Sequence, residues 1–234
     1  MKNKYFYGQK SSSKAKRAYI PVNAFLGKAQ RFLLGQNTGS ILQTDPKIIL
    51  FTLSKYKFAS KLFGGFKSVL DLGCMEGLGC LLLSKTCKNV LGLDFYKTHI
   101  RNAKRMLGNE KNIKFVGADF LEYKMKAQFD GVVCFDVLEH IDRLQEKEFL
   151  KHCCQCLTKH GSLLVGFPSI ESQIYASPYN KEAHINCKTQ AEGQNLLQKY
   201  FHVVYPFSMN DEIVHTGFAK MSHYFIFLCN SKKI

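Results

Sequence analysis

Five short apolar runs follow one another through the middle of the chain: SVLDL (68–72), NVLGLDF (89–95), IKFVGADF (113–120), FDGVVCFD (129–136) and GSLLVGF (161–167). Helix-like stretches at 78–86, 97–107 and 143–158 lie between most of them. A strand with one wet face alternates apolar and polar residues, whereas a strand that is apolar throughout must be covered on both faces. Such strands, alternating with helices, predict an α/β fold with a parallel sheet between two helical layers. Beyond residue 190, AEGQNLLQKYF reads as a helix, and HVVYPFSMN and HYFIFLC read as two more strands whose connection is too long for a tight hairpin.

Upstream, Thr44 or Asp45 can cap a helix with Pro46 in its first turn, and Gly64–Gly65 can stop it after KIILFTLSKYKFASKLF. Residues 22–34, VNAFLGKAQRFLL, read as a short amphipathic helix. The organisation expected is a basic N-terminal lead over 1–44 and a folded domain over 45–234. That lead holds eight Lys/Arg and no Asp or Glu, out of a net charge of +15. A skew of this kind suits an RNA or membrane-surface patch, and it suits mere solubility equally well. The basic residues lack the interleaved aromatics of a single-strand platform. No uninterrupted apolar stretch approaches the roughly 18 residues of a membrane span, and the start lacks the apolar core of a secretory signal, so a cytoplasmic location is expected. Nine cysteines, clustered only in KHCCQC with no matched CxxC pairs, read as reduced thiols and helix packing rather than a zinc site.

In an open parallel sheet, ligands bind beyond the carboxyl ends of the strands near the point where strand order reverses. The stretch DLGCMEGLG leaves the first strand there, and Gly73, Gly77 and Gly79 let backbone approach a ligand. Asp94 ends the second strand, where an acid accepts hydrogen bonds from a ribose diol. Asp119 ends the third, where a carboxylate can receive an adenine amino group. Together they outline a nucleoside site. The spacing of a dinucleotide GxGxxG turn is absent, which disfavours NAD and FAD.

VLDLGCMEG, VLGLDF, GADF, FDGVVCFDVLEHI and LTKHGSLLVGFPS resemble, in order, the successive motifs of class I S-adenosylmethionine-dependent methyltransferases over roughly residues 66–170. The resemblance implies a Rossmann-like, seven-stranded, mostly parallel sheet with helices on both faces and the last strand antiparallel. It implies S-adenosyl-L-methionine as cofactor. Asp71, Gly73 and Gly77 would hold its methionine end, Asp94 its ribose and Asp119 its adenine, with Cys134 and Phe135 along the sulfonium side. Cys74, Phe95 and Phe120 complete the expected cofactor contacts. One position departs: the middle glycine of the family's GxGxG turn is Met75, whose side chain must point away from the ligand unless the turn shifts.

DVLEHI follows the fourth strand. If Asp136 opens a helical turn, Glu139 and His140 fold back over it and gather two carboxylates and an imidazole, a set that suits a divalent cation such as Mg2+. By resemblance to ubiquinone-pathway O-methyltransferases and small-RNA 2′-O-methyltransferases, Asp136, Glu139, His140 and the later His184 would be its ligands. Many relatives carry LEH with no metal, so the same side chains can instead orient substrate. The stretches 168–188 and 208–218 supply the polar residues expected at the acceptor mouth. His184 or His215 there, with His140 beside them, can act as the base that takes an acceptor proton. The expected function is O-methylation of a small polar metabolite, a sugar or phosphorus-containing glycan precursor. RNA methylation and a non-catalytic cofactor-binding module are the alternatives. The oligomeric state is not written in the sequence.

Overall fold

The computed structural model describes residues 34–125 and 127–233. The predicted helix at 22–34 lies, save its last residue, outside them, as do the first 33 residues of the basic lead. Helix α1 spans Gln36–Thr44 and α2 Pro46–Leu62. Asp45 separates them and caps the second, its carboxylate accepting from the Lys47 N–H at 3.2 Å with Pro46 in the first turn. The Phe63 N–H closes α2 onto the Ala59 carbonyl, and Gly65, at φ 88°, turns the chain towards the sheet.

The sheet begins with β1 (Val69–Leu72), β2 (Val90–Asp94) and β3 (Ile113–Gly117), joined through α3 (Leu78–Ser84) and α4 (Lys97–Leu107). It continues with β4 (Phe129–Phe135), α5 (Glu146–Cys156) and β5 (Leu157–Pro168). A segment containing α6 (Pro178–Ala183) and α7 (Gln190–Leu197) leads to β6 (Phe201–Asn210), β7 (Ile213–His215) and β8 (Tyr224–Lys232). The strand order is β3-β2-β1-β4-β5-β8-β6-β7. The first five strands are parallel, and β8 runs antiparallel between β5 and β6. The parallel core and the antiparallel last strand match the expectation. The sheet has eight strands rather than seven because the three-residue β7 hydrogen-bonds to the edge of β6.

Strand alternation sorts the interior onto two faces. Leu70, Leu72, Val132, Cys134, Leu163 and Val165 meet Phe149, Leu150 and Cys153 of α5 and Leu197 of α7. Val69, Val133, Phe135 and Leu164 meet Tyr56, Ala59 and Phe63 of α2, Cys80 and Leu83 of α3, and Ile100 and Leu107 of α4. Each fully buried side chain of this size contributes roughly 1.5–3 kcal/mol, so the helical layers are held by the sheet more than by their own propensity. All nine cysteines are free and buried, those of KHCCQC on the inner side of α5. Strand order reverses between β1 and β4, which places the crevice at their carboxyl ends.

Candidate active site at the switch point

The turn after β1 passes through Gly73 at φ 72°, Met75 at φ 48° and Gly77 at φ 86°. A Cβ on Gly73 would stand 2.5 Å from Val137 Cγ2, and one on Gly77 2.8 Å from the Phe115 ring. Both glycines are therefore demanded by left-handed backbone and by the protein's own packing, before any ligand is considered. Met75 takes a left-handed conformation without being glycine, its side chain turned outward and 42% exposed. Its N–H donates to Asp94 Oδ2 at 2.9 Å. The other Asp94 oxygen accepts from the Tyr96 N–H at 2.8 Å. Each oxygen has a second lone pair, so the donor count still fits a sugar diol. Phe95 and Tyr96, their rings tilted with centroids 4.1 Å apart, are exposed immediately beyond it.

Asp71 lies elsewhere than the resemblance implied. It shares the face of Val69, so it points under α2 rather than into the crevice, and it is fully buried. Tyr56 Oη donates to Asp71 Oδ1 at 2.9 Å and Cys80 Sγ to Oδ2 at 3.1 Å. Burial pushes its carboxyl up to about 7, against the pull of the Cys80 and Tyr56 hydrogen bonds. The side chains of Cys134 and Phe135 are likewise core residues, the latter edge-on to Tyr56 at 5.3 Å. Cys74 is buried too. Asp119 is exposed, and its Oδ1 accepts from the Leu121 N–H at 2.9 Å. The following Phe120 packs edge-on to Phe149.

Glu76, in the same turn, reaches across to the start of α1. It accepts from the N–H groups of Asn37 and Thr38 at 3.1 and 2.7 Å and from Asn102 Nδ2 at 2.8 Å. Burial raises its pKa, but the Thr38, Asn102 and Asn37 hydrogen bonds outweigh that and hold it below the usual carboxylate value. A Cβ on Gly35 would lie 2.2 Å from the Glu76 carboxyl carbon, so a side chain there would push the carboxylate away from the start of α1. The helix α1, inside the expected lead, is thus fastened to the glycine turn.

After β4 the chain passes through Asp136 at φ 56° into a single-turn 3-10 helix, Leu138–His140. Asp136 Oδ2 accepts from Lys55 Nζ, and Lys55 is 1% exposed. Glu139 is fully buried, and among the described residues neither of its oxygens has a partner. Burial, then the nearby Asp136, pushes its carboxyl far up, with Lys55 opposing. His140 Nδ1 donates to the Ala183 carbonyl at 2.9 Å and His184 Nδ1 to Gln173 Oε1 at 3.0 Å, which leaves each Nε2 with a free lone pair. The two rings stand 5.1 Å apart, and burial together with His140 holds the His184 pKa below its ordinary value.

Ligand atoms of Glu139, His140 and His184 lie within 4.8 Å of one another. Of the four expected metal ligands, the structure gathers these three and turns Asp136 to Lys55. Two imidazoles and one carboxyl group fit a divalent transition ion better than Mg2+, which prefers oxygen. Buried Asn186 fixes the cluster: its N–H donates to the Glu139 carbonyl at 3.0 Å, and its Nδ2 to the Ile141 carbonyl at 3.0 Å and Glu146 Oε2 at 2.8 Å. His215 is not part of it; its Nε2 donates to Asn210 Oδ1 at 2.8 Å and its Nδ1 accepts from the Gly217 N–H at 2.9 Å. Lys55 and the buried Tyr224 carry no motif that would single them out in the sequence.

A doubly wound sheet with an acid-ended second strand and a glycine turn at its switch point has the form of a nucleoside-cofactor-binding fold. A family model described as a methyltransferase domain matches residues 69–161. Over that segment the chain resembles the class I S-adenosylmethionine-dependent methyltransferases. It is 32% identical over 106 residues to the ubiquinone biosynthesis O-methyltransferase of Erwinia tasmaniensis, covering 44% of this chain and 42% of that one. It is 26% identical over 198 residues to a tRNA/tmRNA (uracil-C(5))-methyltransferase of Campylobacter hominis, covering 81% of this chain and 50% of that one. The chain thus spans half or less of the length of these curated relatives. Its fold matches that of the N-methyltransferase NodS from Bradyrhizobium japonicum in complex with S-adenosyl-L-homocysteine, with a TM-score of 0.59, 17% identity and coverage of 81% and 90% of the two chains. Among the described residues, no helix is long and apolar enough to cross a membrane.

Proposed function

We propose that the chain methylates an oxygen of a small polar metabolite, with the acceptor entering at the Glu139–His140–His184 cluster. That cluster carries the reading. An oxygen acceptor must lose a proton as it is methylated, and an imidazole such as that of His184, held below its ordinary pKa, is suited to taking it. When bound, S-adenosylmethionine supplies an electrophilic methyl group on a sulfonium. Asp94 would hold its ribose, the turn at 73–77 would bound its methionine end, and Asp119 with Phe120 would lie at its adenine. In the alternative arrangement a divalent cation held by Glu139, His140 and His184 would engage the imidazole lone pairs, and the cation rather than the histidines would orient the acceptor oxygen and ease its deprotonation.

RNA methylation is the second reading. It is favoured by the exposed Phe95–Tyr96 pair and the exposed Lys97, Arg101, Lys104 and Arg105 that follow it on α4. A base stacks on an aromatic ring and a phosphate meets a cation, and both lie here on one element.

Incubating the protein with extract and methyl-labelled cofactor distinguishes the readings. Label in small polar molecules supports the first, label in RNA the second, and label in neither overturns both. Calorimetry with S-adenosylhomocysteine tests the cofactor assignment. Asp94→Ala is expected to weaken binding by about 1–3 kcal/mol through loss of a charged acceptor, and unchanged affinity would remove the ribose role.

A further inference from the structure

The cluster at the acceptor mouth holds three of the four residues that DVLEHI and EAHIN bring near it. The missing fourth, Asp136, is answered by a residue more than eighty positions upstream. Lys55 projects from α2 with its ammonium 4.7 Å from the centroid of the Phe51 ring and 4.5 Å from that of Tyr224. It is 1% exposed, and Asp136 is its only carboxylate partner among the described residues. Burying an ammonium in such a cage is costly unless a carboxylate stands against it. Phe51 and Tyr224 stack edge-on at 5.5 Å, which closes the cage, and the left-handed backbone at Asp136 turns the carboxylate back towards it. Drawing Asp136 onto a cation at Glu139 would strand Lys55 in an apolar site, so the ion pair competes with a fourth metal ligand.

We propose that Lys55 sets the composition of the divalent site: it withholds Asp136, so that a cation bound there has Glu139, His140 and His184 as its protein ligands and open positions for the acceptor. The inference rests on the divalent reading above and adds to it the residue that decides the ligand count. Lys55 is a positioning residue, acting through Asp136.

The test is calorimetry with Mn2+ and the absorption spectrum of bound Co2+, neither of which depends on turnover. Asp136→Asn alone is expected to leave the Mn2+ dissociation constant within about threefold of the wild-type value and the Co2+ spectrum unchanged, whereas Glu139→Gln abolishes binding. Lys55→Met, which frees the Asp136 carboxylate, is expected to tighten Mn2+ at least tenfold. The gain should vanish in the Lys55→Met/Asp136→Asn double variant, and Lys55→Arg should behave as wild type. If Asp136→Asn alone weakens Mn2+ tenfold and changes the Co2+ spectrum, Asp136 is a ligand and the proposal is wrong. It is equally wrong if Lys55→Met folds and binds no tighter. If neither the wild-type chain nor Lys55→Met binds either ion, the divalent reading fails and takes this proposal with it. Should Lys55→Met not fold, the Asp136→Asn comparison still decides.

Discussion

Asp71 on β1 and Asp136 just beyond the end of the adjacent β4 stand at the switch point, and consecutive residues of α2 answer them, Tyr56 the first and Lys55 the second. None of this is visible in a linear reading. The partners lie 15 and 81 positions apart, and within α2 both residues read only as part of an amphipathic helix. The placement of Asp71 was partly legible, because an acid two residues from Val69 in a short buried strand must share its face. The glycine pattern was legible as a tight turn, but its cause is as much Val137 and Phe115 as any cofactor. Tyr56→Phe removes one of two donors to a buried carboxyl. It is expected to destabilise the chain by about 1–3 kcal/mol in urea unfolding, while Cys80 continues to hold the other oxygen. A loss under about 0.5 kcal/mol would show the hydroxyl to be idle.

The parallel strands were legible because each is apolar on both faces, and α2 because its cap, proline and terminal glycines all lie in sequence. β7 was not, since three residues with an exposed Ile213 carry no periodicity. α1 was hidden as well. Its amphipathic pattern is weak, and its N-terminus is completed by Glu76, almost forty residues away. A carboxylate at a helix N-terminus satisfies orphan N–H groups and complements the dipole. Glu76→Ala is therefore expected to cost about 0.5–2 kcal/mol and to speed amide exchange through residues 36–44 more than through β1. Equal exchange in both segments would mean that α1 does not depend on the turn. Cofactor affinity should fall in the same variant, since the turn and α1 share the Glu76 contacts.

At the scale of the molecule, the proton on Asp71 links stability to pH. Its carboxyl sits at about 7 folded against an ordinary value of 3.8, so the folded state binds the proton more tightly. The stabilisation belongs to the protonated form. It is present in full below about pH 4 and is lost as pH rises towards 7, a change on the order of 4 kcal/mol. Glu139, raised by burial, pulls in the same direction. Urea midpoints are expected to fall between about pH 5 and 7.5, and Asp71→Asn should flatten much of that slope; a slope unaltered by the substitution would locate the coupling elsewhere. The nine interior thiols have a practical corollary. Burial moves those of Cys134, Cys153 and Cys229, among others, far from the ionised form that reacts. A mild alkylating reagent finds no ready target while the chain is folded, so the speed at which adducts accumulate becomes a clock for how often each layer of the interior opens.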